Sequence, residues 1–328
     1  MAVLVTGGAG YIGSHMVLRL ADAGEAIVVL DNLTTGFDWA IDHRATFVQG
    51  NAGDLALVGK VIAEHGIDAI IHFAGSIVVP ESVSDPLKYY ANNTATSRNL
   101  IEAAVTGGVK HFIFSSTAAV YGNAGLEPVA ETTQLMPESP YGRSKLMTEL
   151  MLADVAAAHP LTYGVLRYFN VAGADPQRRS GQSSPTATHL IKVASQAALG
   201  QRAQMGIFGT DFPTPDGTGV RDYIHVTDLV EAHALLLEYL RGGGTSVTMN
   251  CGYGRGFSVR EVIQTVKTVS GVDFKVVEGP RRAGDPASIV ARAEKIRDVL
   301  GWTPQHDDLN EIVDAAMKWE RYLATRNR

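Results

Sequence analysis

Two side chains that could carry out acid–base chemistry stand four residues apart in the segment from Pro140 to Lys145. If Pro140 occupies the first turn of a helix, where its missing N–H is harmless, Tyr141 and Lys145 lie on one face of that helix. A nearby ammonium favours the ionised form of a phenol, so we expect Lys145 to lower the pKa of Tyr141. The pair therefore predicts a proton acceptor suited to an alcohol. Because the same spacing is common on solvated helix surfaces, the rest of the chain must decide between these readings.

A glycine-rich segment follows the first apolar run of the chain and opens a helical pattern. Its three glycines, Gly7, Gly10 and Gly13, would let the backbone approach a pyrophosphate at the N-terminus of that helix. Asp31 ends the next apolar run, about twenty residues further on, where an acid binds the ribose hydroxyls of an adenine dinucleotide. A carboxylate repels a 2′-phosphate, so NAD is favoured over NADP. The alternative is that these glycines form tight turns only and bind no dinucleotide.

Apolar runs of strand length alternate with helical patterns through the first half of the chain. We predict strands at residues 2–6, 26–30, 46–49, 68–73, 111–115 and 162–168. We predict helices at residues 11–23, 54–65 and 86–106, and one that contains Tyr141. This alternation predicts an α/β fold, a Rossmann-type doubly wound parallel sheet with helices on both faces. In such a sheet, ligands bind beyond the carboxyl ends of the strands.

The second half of the chain is less regular. Residues 174–185 are rich in Gly, Pro, Ser and charge, which is typical of a loop that shapes a site. Further elements are predicted as helices at 187–199, 226–240, 259–269, 293–300 and 309–325 and strands at 246–250 and 274–277. We predict an NAD-binding domain over residues 1–170. Residues 171–328 would form a smaller, mainly substrate-binding α/β lobe, with segments near 220–250 returning to the first domain.

Composition excludes several classes of function. The net charge of −6, with no basic tract, argues against nucleic acid as a partner. Cys251 is the single cysteine, so no intrachain disulfide forms, and a cytoplasmic location is expected. The apolar runs are too short to span a bilayer, which takes about 20 residues. The ten histidines include no metal-binding motif, so no metal is expected.

Several of these motifs together resemble the extended short-chain dehydrogenase/reductase superfamily. The matching stretches are residues 6–15, 31–33, 72–75 and 115–117 and the Tyr141/Lys145 pair. Within that superfamily the chain is most similar to the UDP-glucose (UDP-galactose) 4-epimerase family. This similarity is carried by residues 81–83, 166–170, 216–226, 281–282 and 284–285. It covers nearly the whole chain, and residues 216–226 are its most specific stretch, because the general dehydrogenase motifs do not require them.

The resemblance implies an activity and a mechanism. The activity is reversible C4 epimerisation of UDP-glucose and UDP-galactose through a 4-keto sugar, with NAD kept bound and N-acetylated UDP-hexosamines as candidate further substrates. Tyr141 would take the proton from the sugar 4-hydroxyl. Thr117, at the family's Ser/Thr position, would hydrogen-bond the same oxygen, and Lys145 would hold the nicotinamide ribose. The resemblance also implies a homodimer.

The resemblance assigns binding residues by position. Those implied to bind the cofactor are Gly7, Gly10, Tyr11, Ile12, Gly13, Asp31, Asn32, Asn51, Ala52, Phe73, Ala74, Gly75, Asn92, Ser115, Tyr141, Lys145 and Tyr168. Those implied to bind the UDP-sugar are Thr117, Tyr141, Phe169, Asn170, His189, Leu190, Phe208, Arg221, Arg281, Asp285 and Ile289. Arg282 is an alternative to Arg281, because either guanidinium fork would match the diphosphate oxygens. Surface charge is the alternative role for each arginine, and core packing is the alternative for Phe208.

The chain departs from the family pattern at several positions. Ile77 stands where many members carry a lysine that contacts the cofactor, and Pro80 replaces a common glycine. Asn51 replaces an aspartate that meets the adenine amine, although its amide oxygen still accepts that bond. Ile289 falls where a small residue admits N-acetylated sugars and a tyrosine excludes them. Its intermediate size leaves that specificity open.

Three other functions compete with epimerisation. Relatives that dehydrate or decarboxylate nucleotide sugars place acids directly after the catalytic Ser/Thr, where this chain has Ala118 and Ala119. A reductase would use free NADH, whereas an epimerase keeps its cofactor and returns the hydride. A dinucleotide-sensing scaffold on the same fold would tolerate the loss of Tyr141 or Lys145, and both are present.

Overall fold

The fold is built around a seven-stranded parallel sheet. A computed structural model describes residues 1–282 and 284–326. In the first half of the chain the strands are β1 Ala2–Thr6, β2 Ile27–Asp31, β3 Thr46–Gln49, β4 Ile67–His72, β5 His111–Thr117 and β6 Thr162–Tyr168. The helices there are α1 Tyr11–Asp22, α2 Leu55–His65, α3 Val79–Ser84, α4 Pro86–Tyr89, α5 Thr96–Thr106 and α6 Pro140–Ala158. A π-helical segment, Tyr90–Ala95, joins α4 to α5.

The second half adds shorter strands and five helices. Its strands are β7 Asn170–Ala172, β8 Met205–Phe208, β9 Val220–His225, β10 Val247–Cys251, β11 Gly256–Ser258, β12 Val276–Gly279 and β13 Ser288–Ile289. Its helices are α7 Leu190–Ala198, α8 Val226–Arg241, α9 Val259–Ser270, α10 Glu294–Leu300 and α11 Leu309–Arg326. Strands β7, β9, β11 and β13 form a second sheet, and β8 pairs with β12.

The strand order of the main sheet determines where its crevice lies. The order is β10-β6-β5-β4-β1-β2-β3, so the chain runs outward from β1 to β3 and then returns to β4 on the other side of β1. The loops after β1 and β4 therefore leave in opposite directions and open a crevice at the carboxyl ends of these strands. The predicted Rossmann-type fold is confirmed, and the strand predicted near residue 247 lies in the main sheet beside β6.

Side chains along each strand point alternately to the two faces of the sheet, and both faces are buried. In β1, Val3 and Val5 pack into one hydrophobic core with α1 and α8, whereas Leu4 packs into the other core with α2 and α5. Strands buried on both faces read as continuous apolar runs, which explains why the sequence pattern predicts them well. The division of the chain into two domains at residue 170 stays a prediction.

Some elements differ from the sequence-based prediction. The helix predicted at residues 86–106 is interrupted by the π-helical segment, and α3 was not predicted. The strand predicted at 274–277 lies at Val276–Gly279, where it pairs with β8, and the helix predicted from residue 187 begins at Leu190. These differences arise where pairing with distant segments, rather than local periodicity, determines the backbone.

Candidate functional site

The glycine-rich segment forms a tight loop between β1 and α1. Gly7 has a φ of +73°, and a Cβ there would stand 2.6 Å from the backbone nitrogen of Ala74. A Cβ on Gly13 would stand 2.1 Å from the carbonyl oxygen of Gly7. Gly10 precedes α1, and no side chain in the described chain caps this helix end. The first amides of α1 are therefore free to bind an anion such as a pyrophosphate, which fits the dinucleotide that the sequence predicts.

Asp31 connects the end of β2 to the glycine loop. One carboxylate oxygen accepts the N–H of Ala9 at 3.0 Å, and the other accepts the N–H of Leu33 at 2.8 Å. Each oxygen keeps a lone pair that could accept a ribose hydroxyl. The neighbouring Asn32 instead accepts hydrogen bonds from Thr34 at an exposed turn. These contacts make Asp31 the better-positioned ribose acceptor of the two.

Asn51 and Ala52 follow β3, at the same edge of the sheet. The Asn51 amide oxygen accepts the N–H of Gly53 at 2.8 Å, and Ala52 is buried. This hydrogen bond orients the amide and leaves its oxygen one further lone pair, which an adenine amine could use.

The loop after β4 is held by two asparagines from the π-helical segment. Asn93 accepts the N–H of Ser76 at 2.8 Å and donates to the Ser76 carbonyl at 3.0 Å. Asn92 donates to the Ser76 hydroxyl at 2.9 Å, which places Asn92 beside Gly75. Ile77, in the position of the missing lysine, is about half exposed. The π-helical widening brings two consecutive side chains to this loop, as such segments often do at functional sites.

Tyr141 and Thr117 meet at the carboxyl end of β5. Ser139 caps α6 through the N–H of Gly142, and Pro140 occupies the first turn, as the sequence predicts. Tyr141 is buried, and its phenol interacts with the Thr117 side chain. Burial raises the pKa of Tyr141, and the interaction with Thr117 opposes that rise. The phenol and the threonine hydroxyl are therefore placed to act together in proton transfer.

Lys145 does not lower the pKa of Tyr141 as the sequence predicts. Its Nζ donates to the Ser115 carbonyl at 3.0 Å and lies 4.8 Å from the centroid of the Phe114 ring. Burial lowers the pKa of Lys145 to about 8, while the Glu149 carboxylate opposes that change. Because burial dominates both groups, the phenol pKa rises and the lysine pKa falls.

An ion pair that the sequence analysis missed lies beneath Lys145. Glu149 accepts hydrogen bonds from Arg167 Nε at 3.1 Å and Nη2 at 2.6 Å, and also from the Ser116 hydroxyl. Both charged side chains are buried. Glu149 stands one helical turn after Lys145, so the i, i+4 spacing that singled out Tyr141 and Lys145 could also have identified it.

A histidine on α8 lies close to three of the predicted cofactor residues. His233 Nε2 lies 3.3 Å from the Ser115 hydroxyl, and its ring centroid lies 5.0 Å from that of Phe73 and 6.4 Å from that of Tyr168. Burial lowers the pKa of His233 to about 4, so the imidazole is neutral near pH 7. His233 was not predicted, because nothing local to α8 marks it.

Predicted substrate residues line a cavity next to the glycine loop. Asn170, His189 and Leu190 face this cavity together with Tyr11 and Tyr223. Tyr11 and Gln182 also line the cavity at the start of α1, so both residues lie between the predicted cofactor and sugar regions. The Tyr11 hydroxyl donates to the Gly173 carbonyl at 2.7 Å.

The predicted substrate residues beside this cavity range from buried to half-buried. Phe169 is buried directly before Asn170. Burial, helped by Lys192, lowers the pKa of His189 to about 4, which leaves a neutral side chain to face the substrate.

The predicted diphosphate residues lie on different elements, with Arg221 on β9 of the second sheet and Arg281 just after β12. Arg221 Nη2 donates to Asp285 at 3.1 Å, and Ile289 pairs with Arg221 in the register of β9 and β13. Arg281 Nε donates to Asp211 at 2.7 Å. The two arginines therefore have different carboxylate partners.

The alternative arginine has an aromatic partner. The Arg282 guanidinium lies 3.9 Å from the ring centroid of Phe208, which is exposed. An exposed ring covered by an arginine is a more plausible stacking surface for a base than a core residue, so the geometry favours the binding role over core packing for Phe208.

Two kinds of feature are absent from the described residues. In residues 1–282 and 284–326, no group of three or more His, Cys, Asp or Glu side chains could hold a metal ion. No helix in that part of the chain is long and apolar enough to cross a membrane.

Comparison with known proteins gives consistent matches along nearly the whole chain. The model of the NAD dependent epimerase/dehydratase family matches residues 3–252. A UDP-glucose 4-epimerase from Azospirillum brasilense is 56% identical over 98% of this chain and 92% of its own length.

Solved structures show the same similarity in three dimensions. The UDP-glucose 4-epimerase of Brucella ovis in complex with NAD has a TM-score of 0.93 and 42% identity, over 97% of both chains. The UDP-Glc/GlcNAc 4-epimerase of Campylobacter jejuni has a TM-score of 0.85 and 48% identity, over 98% of this chain and 99% of that one.

Proposed function

The chain belongs to the NAD dependent epimerase/dehydratase family, and we propose that it interconverts UDP-glucose and UDP-galactose by reversible inversion at C4 of the sugar. The observation that carries this proposal is that buried Tyr141, near the start of α6, interacts with Thr117 at the carboxyl end of β5. This pair lies in the sheet crevice that the glycine loop and Asp31 also enter. Relatives that match nearly the whole chain bear the names of UDP-glucose 4-epimerases, which supports the same reaction.

The chemistry divides between the cofactor and the side chains of this chain. The glycine loop and Asp31 would hold NAD, which would supply the hydride chemistry at C4 of the sugar. Tyr141 takes the proton of the 4-hydroxyl and later gives it back, while the Thr117 hydroxyl steadies the same oxygen. Proton transfer by a positioned group contributes about 10²–10⁴-fold to the rate. Burial raises the pKa of Tyr141, and the interaction with Thr117 is the one that opposes that rise and so favours the phenolate.

Inversion requires the 4-keto sugar to turn over while the nucleotide stays in place. Arg221 and Arg281 are suited to bind the diphosphate, because a guanidinium matches two phosphate oxygens at once. Phe208 offers an exposed ring for the uracil. Asn170 and His189 face the cavity where the sugar would turn.

Dehydration and decarboxylation are disfavoured within this family by the residues that follow Thr117. Ala118 and Ala119 form a short 3-10 turn directly after β5 and provide no acid for a second proton transfer. A Thr117–Tyr141 pair with no acid beside it supports oxidation followed by its own reversal.

The reaction can be tested with purified protein and UDP-galactose. We expect UDP-glucose to form until equilibrium is reached, with no net accumulation of NADH. If NAD is supplied and no UDP-glucose appears, the proposed reaction is wrong. Stoichiometric NADH production would instead identify an oxidoreductase.

N-acetylated sugars are a proposed second substrate class. The Campylobacter jejuni relative is named for both UDP-Glc and GlcNAc, and Ile289 occupies the position that limits sugar size in the family resemblance. Replacing Ile289 by Ala should raise the rate with UDP-N-acetylglucosamine relative to UDP-galactose. Val290→Ala is the matched control, because Val290 directly follows Ile289 and is equally buried. An unchanged substrate ratio in Ile289→Ala would remove Ile289 from this role.

We also infer that two copies of the chain associate. Met147 and Leu150 are exposed on one face of α6, and Val83 and Leu87 are exposed on α3 and α4, which pack against α6. A contiguous apolar surface of this kind is typical of an interface, and a twofold contact would let the same patch cover itself.

We also propose a cellular location and a metabolic role for the enzyme. A cytoplasmic location is consistent with the single cysteine, Cys251, which is buried and unpaired in the described chain. Interconversion of UDP-glucose and UDP-galactose would place the enzyme in galactose metabolism.

A further inference from the structure

Four aromatic side chains from opposite ends of the chain pack together above the glycine loop. The ring centroids of Phe37 and Trp39 are 5.2 Å apart, those of Trp39 and Trp319 are 6.5 Å apart, and those of Trp319 and Tyr322 are 5.2 Å apart. Trp39 and Trp319 are stacked at 30°. We call these four residues the aromatic clasp. They connect the loop after β2 to helix α11.

The loop that carries Phe37 and Trp39 is bound directly to the glycine loop. The N–H of Phe37 donates to the Ala9 carbonyl at 3.0 Å. Gly36 packs so closely that a Cβ there would stand 2.8 Å from Ala9. Ala9 in turn donates its N–H to Asp31. A movement of this loop would therefore disturb the segment that is expected to bind the dinucleotide.

Helix α11 also holds a second loop, residues 174–185. A Cβ on Gly181 would stand 2.4 Å from the Trp319 ring, so that ring packs directly on the backbone of this loop. The Gln182 carbonyl accepts a hydrogen bond from Lys192 at 2.8 Å, and Lys192 also pairs with Glu320 at 2.7 Å. Consecutive residues of α11, Trp319 and Glu320, thus secure one loop through packing and through a buried ion pair.

Both loops border the same cavity at the N-terminus of α1. Its lining includes Gly10 and Tyr11 from the glycine loop and helix start, Phe37 from the first loop, and Gly181 and Gln182 from the second. The two loops approach this cavity from different halves of the chain. Widening the opening would require at least one of them to separate from α11.

We propose that Trp39 and Trp319 are positioning residues that slow the release of NAD by holding these two loops together. The inference rests on the proposed function, because an enzyme that returns its hydride has no need to exchange cofactor in each cycle. Neither tryptophan touches the reacting atoms in this account. Their effect is on how often the cleft opens, and so on the dissociation rate of the cofactor.

The size of the expected effect follows from the contacts that Trp39 makes. A stacked aromatic pair and an arginine over an aromatic face each stabilise a structure modestly. The Arg326 guanidinium lies 4.1 Å from the centroid of the Trp39 ring, so Trp39→Ala removes both kinds of contact. We expect NAD to leave the Trp39→Ala protein about tenfold faster than the unmodified protein.

The experiment measures dissociation and not turnover. Holoenzyme carrying labelled NAD is mixed with excess unlabelled NAD, and the label retained by the protein is followed with time. Trp39→Phe keeps an aromatic ring and should release NAD within about threefold of the unmodified rate. Tyr163→Ala removes a half-buried ring near the opposite end of the sheet and should leave the release rate unchanged.

A general loss of stability is separated from the proposed effect by melting each variant without added NAD. If Trp39→Ala retains its fold and releases NAD at the unmodified rate, the proposal is overturned. Should Trp39→Ala not fold, Arg326→Ala takes its place. It removes only the exposed cation and should accelerate release about threefold, and an unchanged rate would again overturn the proposal. Unmodified protein that binds no NAD would contradict the proposed function itself.

Discussion

The ammonium of Lys145 lies 3.0 Å from the main-chain oxygen of Ser115, which fixes it at the carboxyl end of β5. Thr117 ends the same strand two residues later and meets the Tyr141 phenol. The end of β5 therefore positions the Lys145 ammonium through a main-chain oxygen. It positions the Tyr141 phenol through the Thr117 hydroxyl. Both groups are buried, and burial raises the pKa of Tyr141 while it lowers the pKa of Lys145.

Tyr141→Phe removes the phenol oxygen and keeps the ring. Turnover of UDP-galactose should fall by at least about 10²-fold, because the 4-hydroxyl loses its proton acceptor. The affinity for UDP, measured by calorimetry, should stay near that of the unmodified protein, since the role of Tyr141 toward the UDP-sugar is at the sugar 4-hydroxyl, which UDP lacks. A variant that keeps full turnover would show that another group takes the proton.

Lys145→Met should abolish turnover and yet stabilise the fold at neutral pH. Burial lowers the pKa of Lys145 to about 8, so below that pH the folded state contains a disfavoured charge. Its removal should raise the free energy of unfolding by about 1–3 kcal/mol near pH 7. Between about pH 8 and 10.4 only the unfolded chain binds this proton, so the stability of the unmodified protein rises with pH and the difference shrinks.

Urea unfolding of both proteins near pH 7 and pH 9.5 measures this difference. Lys60→Met is the matched control, because Lys60 is exposed on α2 and its ion pair with Glu64 is weak. A Lys145→Met protein that is less stable than the unmodified protein at pH 7 would mean that the contacts of Lys145 outweigh its burial.

Glu149→Gln should affect both stability and the pH dependence of turnover. The substitution leaves the buried Arg167 guanidinium without its carboxylate, which costs about 3–5 kcal/mol. Because Glu149 opposes the lowering of the Lys145 pKa, its removal should lower that pKa further. We expect turnover to fall at alkaline pH as Lys145 loses its proton. In Glu149→Gln this fall should begin at a lower pH.

The control for this variant is Glu102→Gln, which breaks an exposed pair with Arg98 on α5. It should change stability by less than about 0.5 kcal/mol and leave the pH profile unchanged. If Glu149→Gln destabilises the protein without moving the alkaline limb, Glu149 serves only the fold.

Arg281→Ala should weaken UDP binding by about 10- to 100-fold, since charge-assisted hydrogen bonds contribute about 1.5–3 kcal/mol each. Arg260→Ala is the control, because Arg260 is also exposed and paired, with Glu278. Equal affinity in both variants would place the diphosphate on other residues.

Leu150→Glu should convert the proposed dimer into a monomer. The residue is exposed at the centre of the apolar face of α6, and a charge there would have to be buried at the interface. Leu126→Glu places the same charge at another exposed leucine, in the segment between β5 and α6, and should not change the molecular mass in solution. Sedimentation of both variants checks this expectation, and a dimeric Leu150→Glu protein would contradict it.

Much of the cofactor half of the molecule is predictable from local pattern. Continuous apolar runs mark the central strands, because each is buried on both faces. The glycine spacing, Asp31 and the Pro140–Lys145 segment lie next to the elements that position them, so their roles follow from short-range geometry. Ala118 and Ala119 are informative in the same way, since they stand beside Thr117 in the chain.

The sequence by itself determined the fold class, the dinucleotide loop and the Tyr141/Lys145 pair, because each depends on residues close together in the chain. Only the tertiary structure decided how these groups ionise, since burial and the interaction with Thr117 set the pKa of Tyr141. It also decided which distant residues meet, such as Glu149 with Arg167 and Trp39 with Trp319. Such contacts arise when separate elements pack on one sheet, and no periodicity along the chain encodes them.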